Sequence, residues 1–231
     1  MRLLLTIILS AGCACGQSGI EVPAVGAIVD STGALRQVQG VAGSFLLGPA
    51  AVTGVLAAAC SERLCLAKTD SKTLSPTGET DAPAGPAIFA LRGNDAIVFF
   101  PDTHTFARWH DDVLEPLNRV VEGDVLSIGL KEIAVRKNGE VSIVDPDGSV
   151  VDSIPDASGP LLLLQKGVVF ATEDEIVLRQ DGSEVRFELA DVRSITAMGP
   201  HYAAIYTGDA VYALRTESGR EGLYRLPGSA P

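Results

Sequence analysis

Apolar residues in this chain come in short runs, on the order of four to eight residues, each closed by Gly, Pro, Asp or Asn. A sustained period of 3.6 is nearly absent, so few helices are expected. Some runs are apolar throughout, as in Leu161-Leu162-Leu163-Leu164, and read as strands packed on both faces. Others alternate, as in Glu184-Val185-Arg186-Phe187-Glu188-Leu189, and read as strands with one face in solvent. The pattern predicts β-strand from about residue 24 to the C-terminus.

The breaks between runs repeat as well. Asp30-Ser31-Thr32-Gly33, Asp145-Pro146-Asp147-Gly148, Gln180-Asp181-Gly182-Ser183 and Glu217-Ser218-Gly219-Arg220 each join two apolar runs. Asp accepts bonds from the following backbone and Gly tolerates positive φ, so each is a hairpin turn. Strand groups recurring at roughly 35–40 residues mark a repeat fold of four-stranded units. Units open at Ser44, Pro86, Asp124, Leu161 and Val192, each on its most apolar run, as an innermost strand requires. GAIVDSTG and ALRQVQG precede them and read as the last two strands of a further unit. The expectation is all-β: a β-propeller of five or six four-stranded blades over 24–231, the first blade incomplete in the favoured count of six.

In the last unit, VYALRTESGREGLYRL resembles the repeat of pyrroloquinoline-quinone-dehydrogenase-like propellers, Y-A-L-D-x-x-T-G-x-x-x-W. Tyr212, Ala213, Leu214 and Gly219 fall at the matching positions. Arg215 stands for the Asp, Ser218 for the Thr and Leu223 for the Trp, with Tyr224 one place later. The chain is thus similar to secreted bacterial β-propeller repeat lipoproteins, and the resemblance implies shape rather than quinone chemistry.

The first residues do not fit the strand pattern. Met1-Arg2, the apolar run Leu3–Leu9 and the small residues Ser10-Ala11-Gly12 have the layout of an export signal over 1–12. The run is too short for a membrane span, which takes about 20 residues. LSAGC resembles a bacterial lipobox, which implies acylation of Cys13, a lipid anchor and tether over 13–23, and attachment to the membrane. Ala14 after Cys13 implies the outer membrane by resemblance to the lipoprotein sorting rule. Cys60 and Cys65 flank the turn Ser61-Glu62-Arg63-Leu64, where cross-strand neighbours come within disulfide range. An oxidising envelope compartment agrees with that pairing.

A net charge of −11 argues against sequence-independent nucleic-acid binding and against docking on anionic lipid. Among candidate chemistry, Asp145, Asp147 and Asp152 could form a calcium loop, but the third Asp of such loops is missing and a hairpin turn is the better reading. His104, His110 and His201, with Asp111 and Asp112 beside Trp109, are the one acid–base or metal set. By strand order His104 lies at one end of its blade and the other two at the opposite end, so they are not expected to converge. No catalytic residues, metal ligands or cofactor site are assigned. The leading expectation is a non-catalytic envelope scaffold binding a protein or small ligand. Alternatives are a propeller hydrolase or lyase acting on sugars or lactones, and a calcium-dependent binding module.

Overall fold

The computed structural model describes residues 23–228. The export signal over 1–12, Cys13 and nearly all of the tether lie outside the described residues. The fold is a six-bladed β-propeller, with one short 3-10 turn at Pro101–Thr103 among the described residues. The first blade has three strands: β1 (Ala24–Val29), β2 (Leu35–Val41) and β3 (Ser44–Val52). The second runs β4 (Ala57–Cys60), β5 (Cys65–Lys68), β6 (Lys72–Leu74), β7 (Glu79–Asp81). The third runs β8 (Ile88–Arg92), β9 (Asp95–Phe100), β10 (Thr105–His110), β11 (Val113–Leu117). The fourth has β12 (Asp124–Ile128), β13 (Ile133–Lys137), β14 (Glu140–Val144) and β15 (Val150–Ser153). The fifth has β16 (Leu161–Leu164), β17 (Gly167–Ala171), β18 (Glu175–Gln180) and β19 (Ser183–Glu188). The sixth has β20 (Val192–Gly199), β21 (Tyr202–Thr207), β22 (Val211–Arg215) and β23 (Gly222–Arg225). Every blade is an antiparallel meander in chain order.

Each junction between neighbouring blades holds one apolar cluster. Leu66, Phe89, Val98 and Trp109 fill the second-to-third junction, and Phe99, Phe106, Ile128 and Ile133 the third-to-fourth. Leu161, Phe170 and Ile143 occupy the fourth-to-fifth, and Leu178, Ile195 and Ile205 the fifth-to-sixth. Ile28, Val38, Phe45 and Met198 join the sixth blade to the first, and Val55, Ala58 and Ala67 join the first to the second. The strands are apolar on both sides because each blade is sandwiched between two others.

The expected boundary of the first two blades is corrected. Ser44–Gly48 does not open the second blade. Val41 pairs with Ser44 across a tight turn, so the run belongs to β3, the outer strand of the first blade, and Ala57 opens the second. The first blade therefore contributes three strands, not two. In the other five blades the inner strand runs from an upper face, which carries the links between blades, to a lower face. Tyr206, near the upper end of β21, accepts a hydrogen bond from Val29 N–H at the end of β1, at 3.1 Å. Gly26, near the start of β1, lies against the Met198 carbonyl near the lower end of β20. So β1 runs from lower to upper, as second strands do. The first blade holds second, third and fourth positions and lacks the innermost one. Inner strands β20 and β4 touch directly and complete a ring with β8, β12 and β16, while β1 is wedged against β4 and β20. This also moves the Asp30 turn to the upper face, whereas the Asp145, Asp181 and Gly219 turns lie on the lower.

Where no inner strand hydrogen-bonds to β1, backbone meets backbone. A Cβ on Gly26 would sit 1.8 Å from the Met198 oxygen, and one on Gly199 would sit 2.1 Å from the Val25 oxygen. Neither clash is with a movable side-chain tip, so both positions demand glycine. At the outer rim, β19 carries Glu184, Arg186 and Glu188, which discourage edge pairing. β3 has no charge; Pro49 and two register shifts against β2 blunt it instead.

Gly26→Ala, which drives a Cβ into main chain, should cost more than about 3 kcal/mol, above the usual range of single substitutions. Gly54→Ala, at φ 73 with nothing within 4 Å of its Cβ, should cost only about 1–2 kcal/mol. Equal losses for the two in urea unfolding followed by circular dichroism would show that the contact with β20 does not hold the ring closed.

Candidate functional site

The upper face carries an open groove of about 710 Å³ between the fourth and fifth blades. The link from β15 to β16 supplies Asp156 and Ser158, the turn from β17 to β18 supplies Thr172 to Glu175, and the end of β19 supplies Arg186 and Glu188. The backbone fixes this lining. Thr172 N–H donates to the Glu175 carbonyl at 2.9 Å, and Glu175 N–H donates to Thr172 Oγ1 at 3.1 Å, which cinches the turn. Ser158 and Gly159 N–H groups share the Ala171 carbonyl, both at 3.1 Å, and Leu189 N–H donates to the Asp174 carbonyl at 2.9 Å. Arg136 holds the other wall by donating to the Gly159 carbonyl at 2.9 Å.

Five carboxylates line the groove against one cation. Arg186 is already engaged by Glu175 at 2.9 Å and Glu184 at 3.1 Å, which hold its guanidinium charged. Asp156, Glu173, Asp174 and Glu188 form no ion pair among the described residues. Their summed field favours a cationic or hydrogen-bond-donating ligand. The run Thr172-Glu173-Asp174-Glu175 is visible in the sequence as a polar turn. Glu188 faces Glu175 across the hairpin that the Asp181-Gly182 turn closes, whereas Asp156 comes from the link between blades and carries no such signal.

The sequence candidates fall elsewhere. His104 caps the 3-10 turn on the upper face with φ 51 and meets Phe99 edge-on at 6.1 Å. His110 and His201 lie at the lower ends of the third and sixth blades, so the three histidines do not gather, as strand order implied. His110 Nδ1 bonds the Asp95 carboxylate and Nε2 lies 3.1 Å from Asp111. The bond to Asp95, followed by the charge of Asp111, pushes the imidazole above its usual range. Asp112 accepts from Ser75 and, at 2.8 Å, from Thr77, so it latches the third blade to the second. Trp109 is buried in that same junction. Asp145 accepts from Asp147 N–H at 3.0 Å and Ser149 N–H at 2.9 Å, and Asp152 pairs with Arg179 at 2.6 Å. These carboxylates close a turn and bridge two blades. Among the described residues no group of three or more His, Cys, Asp or Glu side chains is placed to hold a metal.

Two polar groups are held by local bonds, and only the Asp30 turn is visible in the sequence. Lys68 is fully buried at the upper end of β5, where its ammonium donates to the Thr69 carbonyl at 2.6 Å and the Asp70 carbonyl at 2.8 Å. Burial lowers its pKa, and the charges of Asp70 and Asp102 oppose that shift. Asp30 is likewise penalised by burial, yet Arg36 and the donors of Thr32 and Ala34 outweigh it and hold the carboxyl well below the usual range. Cys60 and Cys65 face each other across β4 and β5 with Cα atoms 4.0 Å apart, at disulfide distance.

No family model matches the chain, and no curated protein matches it. Solved structures do match in shape. One is PorZ, described as an essential bacterial surface component of the type-IX secretion system of Porphyromonas gingivalis. It is 14% identical with a TM-score of 0.53 over 90% of this chain and 38% of that one. The chain thus spans well under half of PorZ. Another is a chain of a nidogen/laminin complex, 11% identical with a TM-score of 0.56 over 90% of this chain and 95% of that one. At these identities the likeness shows the fold alone.

Two outcomes follow from the geometry. Asp95→Asn should lower the His110 titration midpoint in an NMR pH series, since it removes the largest cause of the raised value. Because the folded value is raised, the pair stabilises the fold below the unfolded pKa of about 6.5 and stops doing so as pH rises through the folded value. An unchanged midpoint would mean that Asp95 does not hold the ring. Alkylation of the denatured protein, purified without reductant, should leave Cys60 and Cys65 unlabelled, and labelling of both would refute the bridge.

Proposed function

We propose that this chain is a non-catalytic binding scaffold of the bacterial cell envelope, with a protein or small ligand seated on its upper face. The groove between the fourth and fifth blades carries the reading. Its walls come from three separated segments, its backbone is fixed by hydrogen bonds, and its four carboxylates without an ion pair among the described residues present a ready field for a donor-rich or cationic partner. A rigid ring that displays loops from several blades serves such a role without moving parts. The order Met1-Arg2, apolar run, small residues and Cys13 supports export and acylation at Cys13, and Ala14 supports the outer membrane as the destination. The Y-A-L likeness at Tyr212, Ala213 and Leu214 falls on strand β22 and adds to the shape argument, not to an activity.

The test is chemical crosslinking followed by affinity purification of the full chain from native membranes, with a metal assay on the same sample. A single stoichiometric envelope partner, lost on Glu173→Lys with Asp174→Lys, is the expected result. A stoichiometric metal, or turnover of a sugar or lactone abolished by changing a groove carboxylate, would replace the scaffold with a metal-dependent module or an enzyme.

A further inference from the structure

We propose that the outer rim of the first blade, the β2–β3 hairpin together with β3, is the surface that rests on the lipid bilayer. The inference builds on the lipid-anchor reading of Cys13 and says which part of the ring that anchor brings to the membrane. Three observations converge on it. The chain enters the fold at the lower end of the first blade, where Gly40 N–H donates to the Pro23 carbonyl at 2.9 Å. Ten steps of chain separate Cys13 from Pro23, a reach of at most about 36 Å, so the anchored ring stays close to the bilayer with this blade nearest.

The rim is also the uncharged part of a chain whose net charge is −11. From Gln37 to Ser61 there is no Asp, Glu, Lys, Arg or His, and β3 reads SFLLGPAAV. Finally, the rim exposes apolar side chains that no other blade covers. Val41 is 61% exposed and Leu46 59%, at the tip and start of the hairpin, and Pro49, Ala50 and Ala51 are exposed further along β3. An uncharged apolar edge suits the interfacial layer of a bilayer, whereas the carboxylate-rich upper face is repelled by anionic headgroups. With the lower end of the first blade toward lipid, the acidic groove remains open to the aqueous side.

The contact can be mapped with full-length protein purified from bacterial membranes and reconstituted in phosphatidylcholine vesicles that contain a diazirine-bearing phosphatidylcholine. After irradiation, peptide mass mapping should place lipid adducts on residues 37–52. Val41→Asp combined with Leu46→Asp should lower that yield at least tenfold while a thermal melt shows the fold intact. Intact mass reports acylation of Cys13 in the same sample. Acylated protein with adducts confined to other blades would keep the anchor and overturn the contact. Adducts on the hairpin of unacylated protein would keep the contact and overturn the anchor. Chain-to-chain crosslinks through the hairpin without lipid adducts would make the occupant a second copy and overturn the proposal.

Discussion

The ring depends on the backbone approach of β1 to β20. In a propeller every blade packs on its two neighbours, so one failed junction exposes apolar surface on both sides of the gap. Here the first blade reaches its neighbours without an innermost strand. Gly26 and Gly199 allow main chains to touch, the Tyr206 hydroxyl accepts the Val29 N–H, and Ile28, Val38 and Met198 complete the junction. On the other side, Val55, Ala58 and Ala67 close a smaller junction onto the second blade. Main-chain contact on one side and a small core on the other leave little slack in the closure.

That closure explains how charge is distributed. Once both sides of every strand are committed to neighbours, polar residues are left to the loops and outer strands. The upper loops receive Glu173, Asp174 and Asp156, and the lower turns receive Asp145 and Glu217 with partners of their own. The first blade is the exception, with an uncharged outer strand blunted by a proline and irregular pairing. One ring thus offers an acidic concave surface and an apolar rim, at positions that the order of the strands fixes relative to the point of chain entry.

Polar groups inside the ring follow the same economy of partners. Lys68 spends its ammonium on two carbonyls of the adjacent turn, and Asp112 spends its carboxylate on hydroxyls of the neighbouring blade. Such residues look like catalytic candidates by type and act as fasteners by placement. Shifted groups such as Lys68 and Asp30 therefore need not mark chemistry here, because burial accounts for the lowered Lys68 and local donors for the lowered Asp30.

The sequence by itself determined the strands of the last four blades, the turns between them and their grouping. Period-two alternation and Gly or Asp turns are local signals, and they are sufficient wherever one strand follows another through a tight hairpin. It also placed His104 apart from His110 and His201, since strand parity alone assigns residues to opposite ends of a blade. Only the tertiary structure decided the first blade. Whether Ser44–Val52 pairs backward with β2 or forward with β4 depends on which neighbour is available in the closed ring, and apolar composition satisfies either choice. The acidic groove was only partly legible: Glu175 and Glu188 pair across one hairpin, whereas Asp156 joins them only when the irregular link from the fourth blade docks on the Ala171 carbonyl. Periodicity is a property of one strand, whereas the choice between two possible partners, as for Ser44–Val52, is a property of the packing.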